Sequence, residues 1–149
     1  LSERLLDLVF LYRHAIYLRE RFWNCGVAIS FPRVRPQRGG FVPDCVVDEG
    51  LLAQIIFAFR ICLPDVPLVL STRECSRFRD GMAGVGISKM SVASRTTVGG
   101  YHGGDAHTLG QFEVSDHRDV GSFCAMLQGK GLQPVFKNWD VVYREAPAL

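Results

Sequence analysis

The sequence predicts an α/β fold in which short parallel strands alternate with helices. Three apolar runs, at residues 26–31, 67–71 and 85–93, barely alternate with polar residues, as is typical of strands buried on both faces of a parallel sheet. Segments that predict helices precede each run, and another follows the last one. This order is the one that crossover helices give to a parallel sheet.

The first two helices have clear boundaries in the sequence. Residues 4–23 carry apolar side chains at helical spacing, and Ser2 is predicted to cap this helix. Asp48 is predicted to cap the second helix, because a carboxylate there accepts hydrogen bonds from the first turn. Pro64 follows the second helix and cannot continue it.

The later elements are predicted to be shorter. A helix or turn covers residues 73–82, and a glycine-rich loop runs over residues 96–110. A last helix is predicted to begin at Asp116 and to end near Gly129, followed by a short extended piece at residues 133–136.

The chain is predicted to be one segment, residues 1–149, with strand–helix units over about residues 1–95. A glycine-rich loop, a helix and a C-terminal extension then occupy about residues 96–149. Three strands cannot close a barrel of eight, and as an open sheet they expose two edges. The chain is therefore either a small open α/β sheet or a slice of a larger barrel. A mean hydropathy of +0.11 and the lack of an initial methionine favour the slice.

Composition argues against several classes of function. The net charge of +2 is too small to indicate nucleic acid or an anionic membrane surface as the partner. No stretch approaches the roughly 20 apolar residues of a membrane span, and no signal peptide is visible. The dispersed cysteines form no C-x-x-C metal motif, and they indicate reduced thiols in a cytoplasmic protein. They are Cys25, Cys45, Cys62, Cys75 and Cys124.

Hydroxyl side chains and an arginine lie where each predicted strand ends. They are Ser30 and Arg33 at the end of the first strand, Ser71, Thr72 and Arg73 at the end of the second, and Ser91, Ser94 and Arg95 at the end of the third. The carboxyl ends of neighbouring parallel strands meet at one edge, where α/β proteins bind ligands. Because a guanidinium matches a carboxylate bidentately, the pattern predicts a site for a small anion such as an amino-acid carboxylate. The alternative is that these arginines pair with acidic neighbours and hold loops; the candidates are Glu74, Asp80, Asp44 and Asp48.

The glycine-rich loop and its surroundings give weaker signals. Tyr101 in this loop could contact a ligand, or it could anchor the loop. The nearby histidines and aspartates are residue types that can bind a metal ion. Their spacing matches no metal-binding template, so they are predicted to be solvated polar residues. They are His102, His107, His117, Asp105 and Asp116.

Several motifs together resemble the radical S-adenosylmethionine (SAM) tyrosine lyase family, the 2-iminoacetate synthases of bacterial thiamine synthesis. They are SFPRVRP at residues 30–36, LSTRE at 70–74, FRD at 78–80, SVAS at 91–94, GGY at 99–101 and GLQPVFKNWD at 131–140. The resemblance runs from about Tyr12 to Asp140. It is carried by the order and spacing of the motifs rather than by any one of them.

The resemblance implies a fold and an activity. The fold is the later part of a radical-SAM (β/α) barrel with the biotin and thiamine synthesis associated region. The family binds a 4Fe–4S cluster and SAM, which yield a 5′-deoxyadenosyl radical. The radical starts cleavage of the tyrosine Cα–Cβ bond to dehydroglycine and p-cresol, and dehydroglycine passes to thiazole synthase. The cofactor supplies the radical chemistry, and the protein positions and shields it.

The resemblance also implies substrate-binding residues, but it stops short of the cluster. Ser71, Thr72 and Arg73 match the part of the family that holds the tyrosine carboxylate and amine, and no catalytic residue is identified. Further candidates for the same pocket or its lid are Arg33, Ser94, Arg95 and Tyr101. The C-x-x-x-C-x-x-C motif that binds the family's cluster is absent, so this segment alone is predicted to be inactive.

Other functions remain open from the sequence. The chain could be a non-catalytic α/β binding remnant, or part of a radical-SAM lyase that acts on another aromatic amino acid. A hydrogenase-maturation relative carries a C-terminal C-x-x-C cluster motif that this chain lacks, which favours the thiamine enzyme.

Overall fold

A computed structural model of the chain describes residues 3–34, 42–96 and 113–136. The described elements alternate as predicted, from helix to strand and back. They are α1 (Arg4–Arg21), β1 (Ile29–Ser30), α2 (Glu49–Cys62), β2 (Leu68–Leu70), α3 (Ser76–Met82), β3 (Lys89–Met90) and α4 (Val120–Gly129).

The three strands form a parallel sheet in the order β1-β2-β3. Ile29 pairs with Leu68, and Leu70 pairs with Met90, so β2 is the central strand. β2 alternates two buried leucines with the half-buried Val69. The predicted α/β fold with neighbouring parallel strands is confirmed.

α1 contributes one face to the core and leaves the other face exposed. Ala15 is buried, and Leu8, Leu11 and Ile16 pack against the core, whereas Leu5 is 78% exposed. The helix ends at Arg21, slightly before the predicted end, and the predicted cap Ser2 lies outside the described residues. None of the helices in the described ranges is long and apolar enough to span a bilayer.

α2 supplies the centre of the core. Asp48 caps it as predicted, because its Oδ1 accepts the Leu51 N–H at 2.7 Å. Leu52, Ile56 and Phe59 are buried against the sheet, along one face of the helix.

Arg60, in the last turn of α2, ties the helix to the chain before β3. Its guanidinium donates to the carbonyl oxygens of Gly86 at 3.0 Å and Pro64 at 2.7 Å, and to Ser88 Oγ at 2.6 Å. Charged donors make strong hydrogen bonds to neutral acceptors. This side chain therefore fixes the crossover that brings β3 beside β2.

Several predicted boundaries were wrong. The first strand was predicted over residues 26–31, but only Ile29–Ser30 pairs with β2. The third strand was predicted over residues 85–93, but only Lys89–Met90 pairs with β2. Gly86 has φ +88° and Ala93 has φ +52°, and a residue in the left-handed region interrupts an extended strand. Asp116 was predicted to begin the last helix, but α4 begins at Val120 and is capped by Asp119, whose carboxylate accepts the Ser122 N–H at 2.7 Å.

Candidate functional site

The carboxyl ends of the three strands meet at one edge of the sheet, as the sequence predicted. We call this the carboxyl edge, and it comprises residues 30–34, 71–74 and 91–96. Ser91 N donates to Leu70 O at 3.0 Å, so the chain after β3 stays beside β2 past the last strand pair. Because the edge directly follows the paired strands, the sheet sets where its three segments begin.

Arg33 forms an ion pair within the carboxyl edge. Its Nε donates to Glu74 Oε1 at 3.0 Å and its Nη2 to Glu74 Oε2, which makes the contact bidentate. Nη1 donates to Val47 O at 2.9 Å. The hydrogen bonds that Arg33 donates to Glu74, opposed by burial, raise the pKa of Arg33. The alternative that an arginine pairs with Glu74 and holds loops therefore applies to Arg33.

The segment of residues 71–73 turns sharply after β2. Ser71 Oγ accepts the Arg73 N–H at 3.3 Å, and Ser71 O accepts the Glu74 N–H at 3.4 Å. Thr72 is only 2% exposed, whereas Ser71 and Arg73 are half-buried. Arg73 Nη1 lies 3.5 Å from Arg33 O, so the structure brings these two predicted site residues together.

The chain after β3 contains the other predicted site residues. Ser94 is half-buried and Arg95 is exposed, directly after the left-handed Ala93. A left-handed conformation costs a residue other than glycine roughly 1–2 kcal/mol, so the packing around this turn holds it against that cost. Tyr101 lies outside the described residues.

A buried ion-pair network behind the carboxyl edge was not predicted from the sequence. Arg79 of α3 and Asp116 are 1% and 2% exposed. Arg79 Nη1 donates to Asp116 Oδ2, and Arg79 Nη2 donates to Ser91 O. Arg118 donates through Nε to Asp116 Oδ1 at 2.9 Å and through Nη2 to Asp80 Oδ1 at 2.8 Å.

This network corrects the prediction that Asp116 is solvated. Burial opposes its charge, but the hydrogen bonds from Arg118 and the charge of Arg79 outweigh burial and lower the pKa of Asp116 to about 2. Burial lowers the pKa of Arg79, and the charge of Asp116 opposes that effect. The ring of Phe123 on α4 lies 4.7 Å from Arg79 Cζ and 5.3 Å from Arg118 Cζ. In the sequence, Arg79 and Asp80 of this network stood out only as part of the FRD motif, to which no role was assigned.

A cavity of about 630 Å³ opens beside the carboxyl edge, between α1, the end of β1 and α2. Its lining is mainly apolar, from Leu8, Leu11, Phe31 and Leu52, and Arg33 borders it. A pocket of this size and character can hold a small organic molecule.

The described residues do not fit an iron–sulfur cluster. All five cysteines lie within the described ranges and are free thiols. In those ranges no three His, Cys, Asp or Glu side chains form a group that could hold a metal ion. Such clusters need several cysteine thiolates together.

Comparisons with known proteins agree with the resemblance in the sequence. Residues 30–133 match the family described as Biotin and Thiamin Synthesis associated domain. The chain is 40% identical over 136 residues to a 2-iminoacetate synthase of Escherichia coli (strain K12), covering 91% of this chain and 36% of that protein. A 2-iminoacetate synthase of Salmonella typhimurium is 39% identical over 135 residues, with the same coverage of both chains. The chain thus spans about a third of the length of these curated relatives.

Solved structures give the same result for the fold. The FeFe-hydrogenase maturase HydG from Carboxydothermus hydrogenoformans matches 96% of this chain with a TM-score of 0.80 at 33% identity, and the match covers 32% of that chain. A second HydG structure matches 88% of this chain with a TM-score of 0.73 at 32% identity, covering 28% of its own chain. These matches agree with the prediction of an α/β segment of a larger radical-SAM fold. Since the family match covers well over half of this chain, the chain belongs to the Biotin and Thiamin Synthesis associated domain family.

Proposed function

We propose that this chain is the substrate-binding segment of a radical-SAM tyrosine lyase, a 2-iminoacetate synthase. In the intact enzyme the reaction cleaves the tyrosine Cα–Cβ bond to dehydroglycine and p-cresol for thiamine thiazole synthesis, in the cytoplasm. The observation that carries the proposal is the 40% identity to 2-iminoacetate synthase over 91% of this chain. The motifs of the carboxyl edge lie within that match, in the order in which the family has them.

The proposed role of the carboxyl edge is to hold the substrate carboxylate. Arg73 is the main candidate, because it is half-buried beside the turn at Ser71 and presents a guanidinium at the end of the central strand. A guanidinium binds a carboxylate with two parallel hydrogen bonds and fixes its orientation. Ser71 and Thr72 are proposed to complete the site. Arg33 contributes indirectly, since its guanidinium binds Glu74 and its carbonyl oxygen is near Arg73.

The residues after β3 are proposed to form the rest of the pocket or its lid. They are Ser94, Arg95 and Tyr101. The cofactors of the intact enzyme would be a 4Fe–4S cluster and SAM, bound by a part of the protein other than the residues described. In this proposal the segment binds and orients tyrosine, and the product dehydroglycine passes to thiazole synthase as the partner enzyme.

The proposal can be tested by tyrosine binding in a chimera. The chimera is the E. coli 2-iminoacetate synthase in which this chain replaces the segment that it matches, reconstituted anaerobically with iron, sulfide and SAM. Arg73→Ala removes one partner of a desolvated charge pair, which costs roughly 3–5 kcal/mol, or at least about a hundredfold in the tyrosine Kd. Arg73→Lys keeps the charge but loses the bidentate geometry, so it restores only part of the affinity.

Arg77 gives a matched control for this experiment. It lies four residues from Arg73, on α3, and its side chain is 88% exposed. Arg77→Ala is expected to leave the tyrosine Kd unchanged. Equal affinities for the Arg73→Ala variant and the parent chimera would show that Arg73 does not hold the carboxylate. Selective binding of tryptophan instead of tyrosine would move the proposal to a lyase of another aromatic amino acid.

A further inference from the structure

The Arg79–Asp116 network connects the two segments of the carboxyl edge that carry the proposed substrate residues. Thr72 O accepts hydrogen bonds from Ser115 N at 3.0 Å and from Asp116 N at 3.1 Å. At the other end of the network, Arg79 Nη2 donates to Ser91 O. A continuous set of hydrogen bonds therefore runs from the chain after β2, through Asp116 and Arg79, to the chain after β3.

The Arg79–Asp116 pair at the centre of the network is closed off from solvent and has few ways to rearrange. The side chains of Arg79 and Asp116 are each 1% exposed, and the Phe123 ring covers the guanidinium of Arg79. Asp116 accepts hydrogen bonds on both carboxylate oxygens, from Arg79 and from Arg118. Buried charges with fixed hydrogen-bond directions are costly to bury, and in some proteins they serve to specify one geometry rather than to add stability.

We propose that Asp116 and Arg79 are positioning residues for tyrosine binding, which set the placement of Arg73 relative to the segment of Ser94 and Arg95. This inference rests on the proposed function, because it assigns the network to the same site. Neither residue contacts the substrate. Asp116 fixes the Thr72 backbone next to Arg73, and Arg79 fixes the Ser91 backbone three residues before Ser94.

The expected size of the effect follows from the demands of a bidentate contact. Displacement of a positioned group by about 1 Å, caused by a mutation away from the reacting atoms, can lower an enzyme's rate by up to about a hundredfold. A bidentate contact depends on position in the same way, and we expect a similar range for the loss of affinity. Asp116→Asn keeps the shape of the side chain but places an NH₂ group against one of the two arginine donors. We therefore expect the tyrosine Kd of the chimera to rise between about tenfold and a hundredfold.

A control separates this role from general destabilisation. Ile56 on α2 is fully buried in the core and lies away from the carboxyl edge in the contacts described. Ile56→Ala is expected to lower the thermal midpoint and to leave the tyrosine Kd unchanged. Arg79→Lys is the second test variant, because an ammonium cannot span Asp116 and Ser91 O as the guanidinium does. The tyrosine Kd of the Arg79→Lys variant tests the inference if the Asp116→Asn variant does not fold.

A double-mutant cycle gives the decisive measurement, because a positioning residue acts through the residue that it positions. In the Arg73→Lys background, Asp116→Asn is expected to change the tyrosine Kd by less than threefold. Fully additive effects of the two substitutions would overturn the inference, and so would an Asp116→Asn chimera that binds tyrosine like the parent. If the parent chimera itself binds no tyrosine, the proposed function fails, and the inference fails with it.

Discussion

Replacement of Glu74 by glutamine is expected to unpair the half-buried Arg33 at the carboxyl edge. The Glu74 side chain is 1% exposed, and both of its oxygens accept hydrogen bonds from Arg33, whose side chain is 12% exposed. Glutamine offers one acceptor oxygen, and its NH₂ group faces an arginine N–H. Loss of one partner of a buried ion pair costs roughly 3–5 kcal/mol. Because Arg33 keeps its hydrogen bond to Val47 O, we expect the lower end, about 3 kcal/mol.

Urea unfolding followed by circular dichroism measures this loss in the free energy of unfolding. The control is Arg77→Met, which breaks the ion pair with Glu49 at 3.2 Å, where the arginine side chain is 88% exposed. An exposed pair contributes at most about 1 kcal/mol. Replacement of both Arg33 and Glu74 by apolar residues should recover much of the loss. If Glu74→Gln costs no more than Arg77→Met, the reasoning from burial is refuted.

Three further predictions test the fold and the network. The pKa of Asp116 is about 2 in the folded chain, below its ordinary value of 3.8. Its contribution of about 2 kcal/mol to the free energy of unfolding is therefore present above pH 4 and is lost as the pH falls towards 2. The urea midpoint should fall less steeply over that range in Asp116→Asn, and an unchanged slope would contradict the assignment. Ala93→Gly removes the strain of an alanine in the left-handed region and is expected to stabilise the chain by up to about 1 kcal/mol. The control Ala58→Gly, within α2, should destabilise the chain by about 1 kcal/mol. If both substitutions lower the thermal midpoint, the turn at Ala93 is not strained. Asp48→Ala removes the cap of α2 and should cost about 1 kcal/mol in the same assay, and a loss below a few tenths would show that the cap does not hold the helix.

The sequence was sufficient to predict the parts of the fold that depend on local signals. Apolar runs located the strands, and Asp48 located the start of α2, because capping and burial act over a few residues. The meeting of Arg33 and Arg73 at one edge followed from the parallel order of the strands.

The rest depended on contacts between distant residues. Asp116 and Asp119 are equally good helix caps by local criteria, and the sequence does not show that Asp116 is buried against the distant Arg79. The pairing of Arg33 with Glu74, 41 residues away, was one of several pairings that the sequence allowed. Long-range ion pairs leave no periodic pattern, so the network behind the carboxyl edge became visible only in the structure.

The most direct test of the proposed function is the formation of p-cresol from tyrosine by the reconstituted chimera, with 5′-deoxyadenosine measured in the same reaction as a record of cofactor turnover. The proposal predicts that the chimera forms p-cresol and that the Arg73→Ala variant forms little at the same iron content. A chimera with a full complement of iron that forms 5′-deoxyadenosine but no p-cresol would contradict the proposal that this segment binds tyrosine for cleavage.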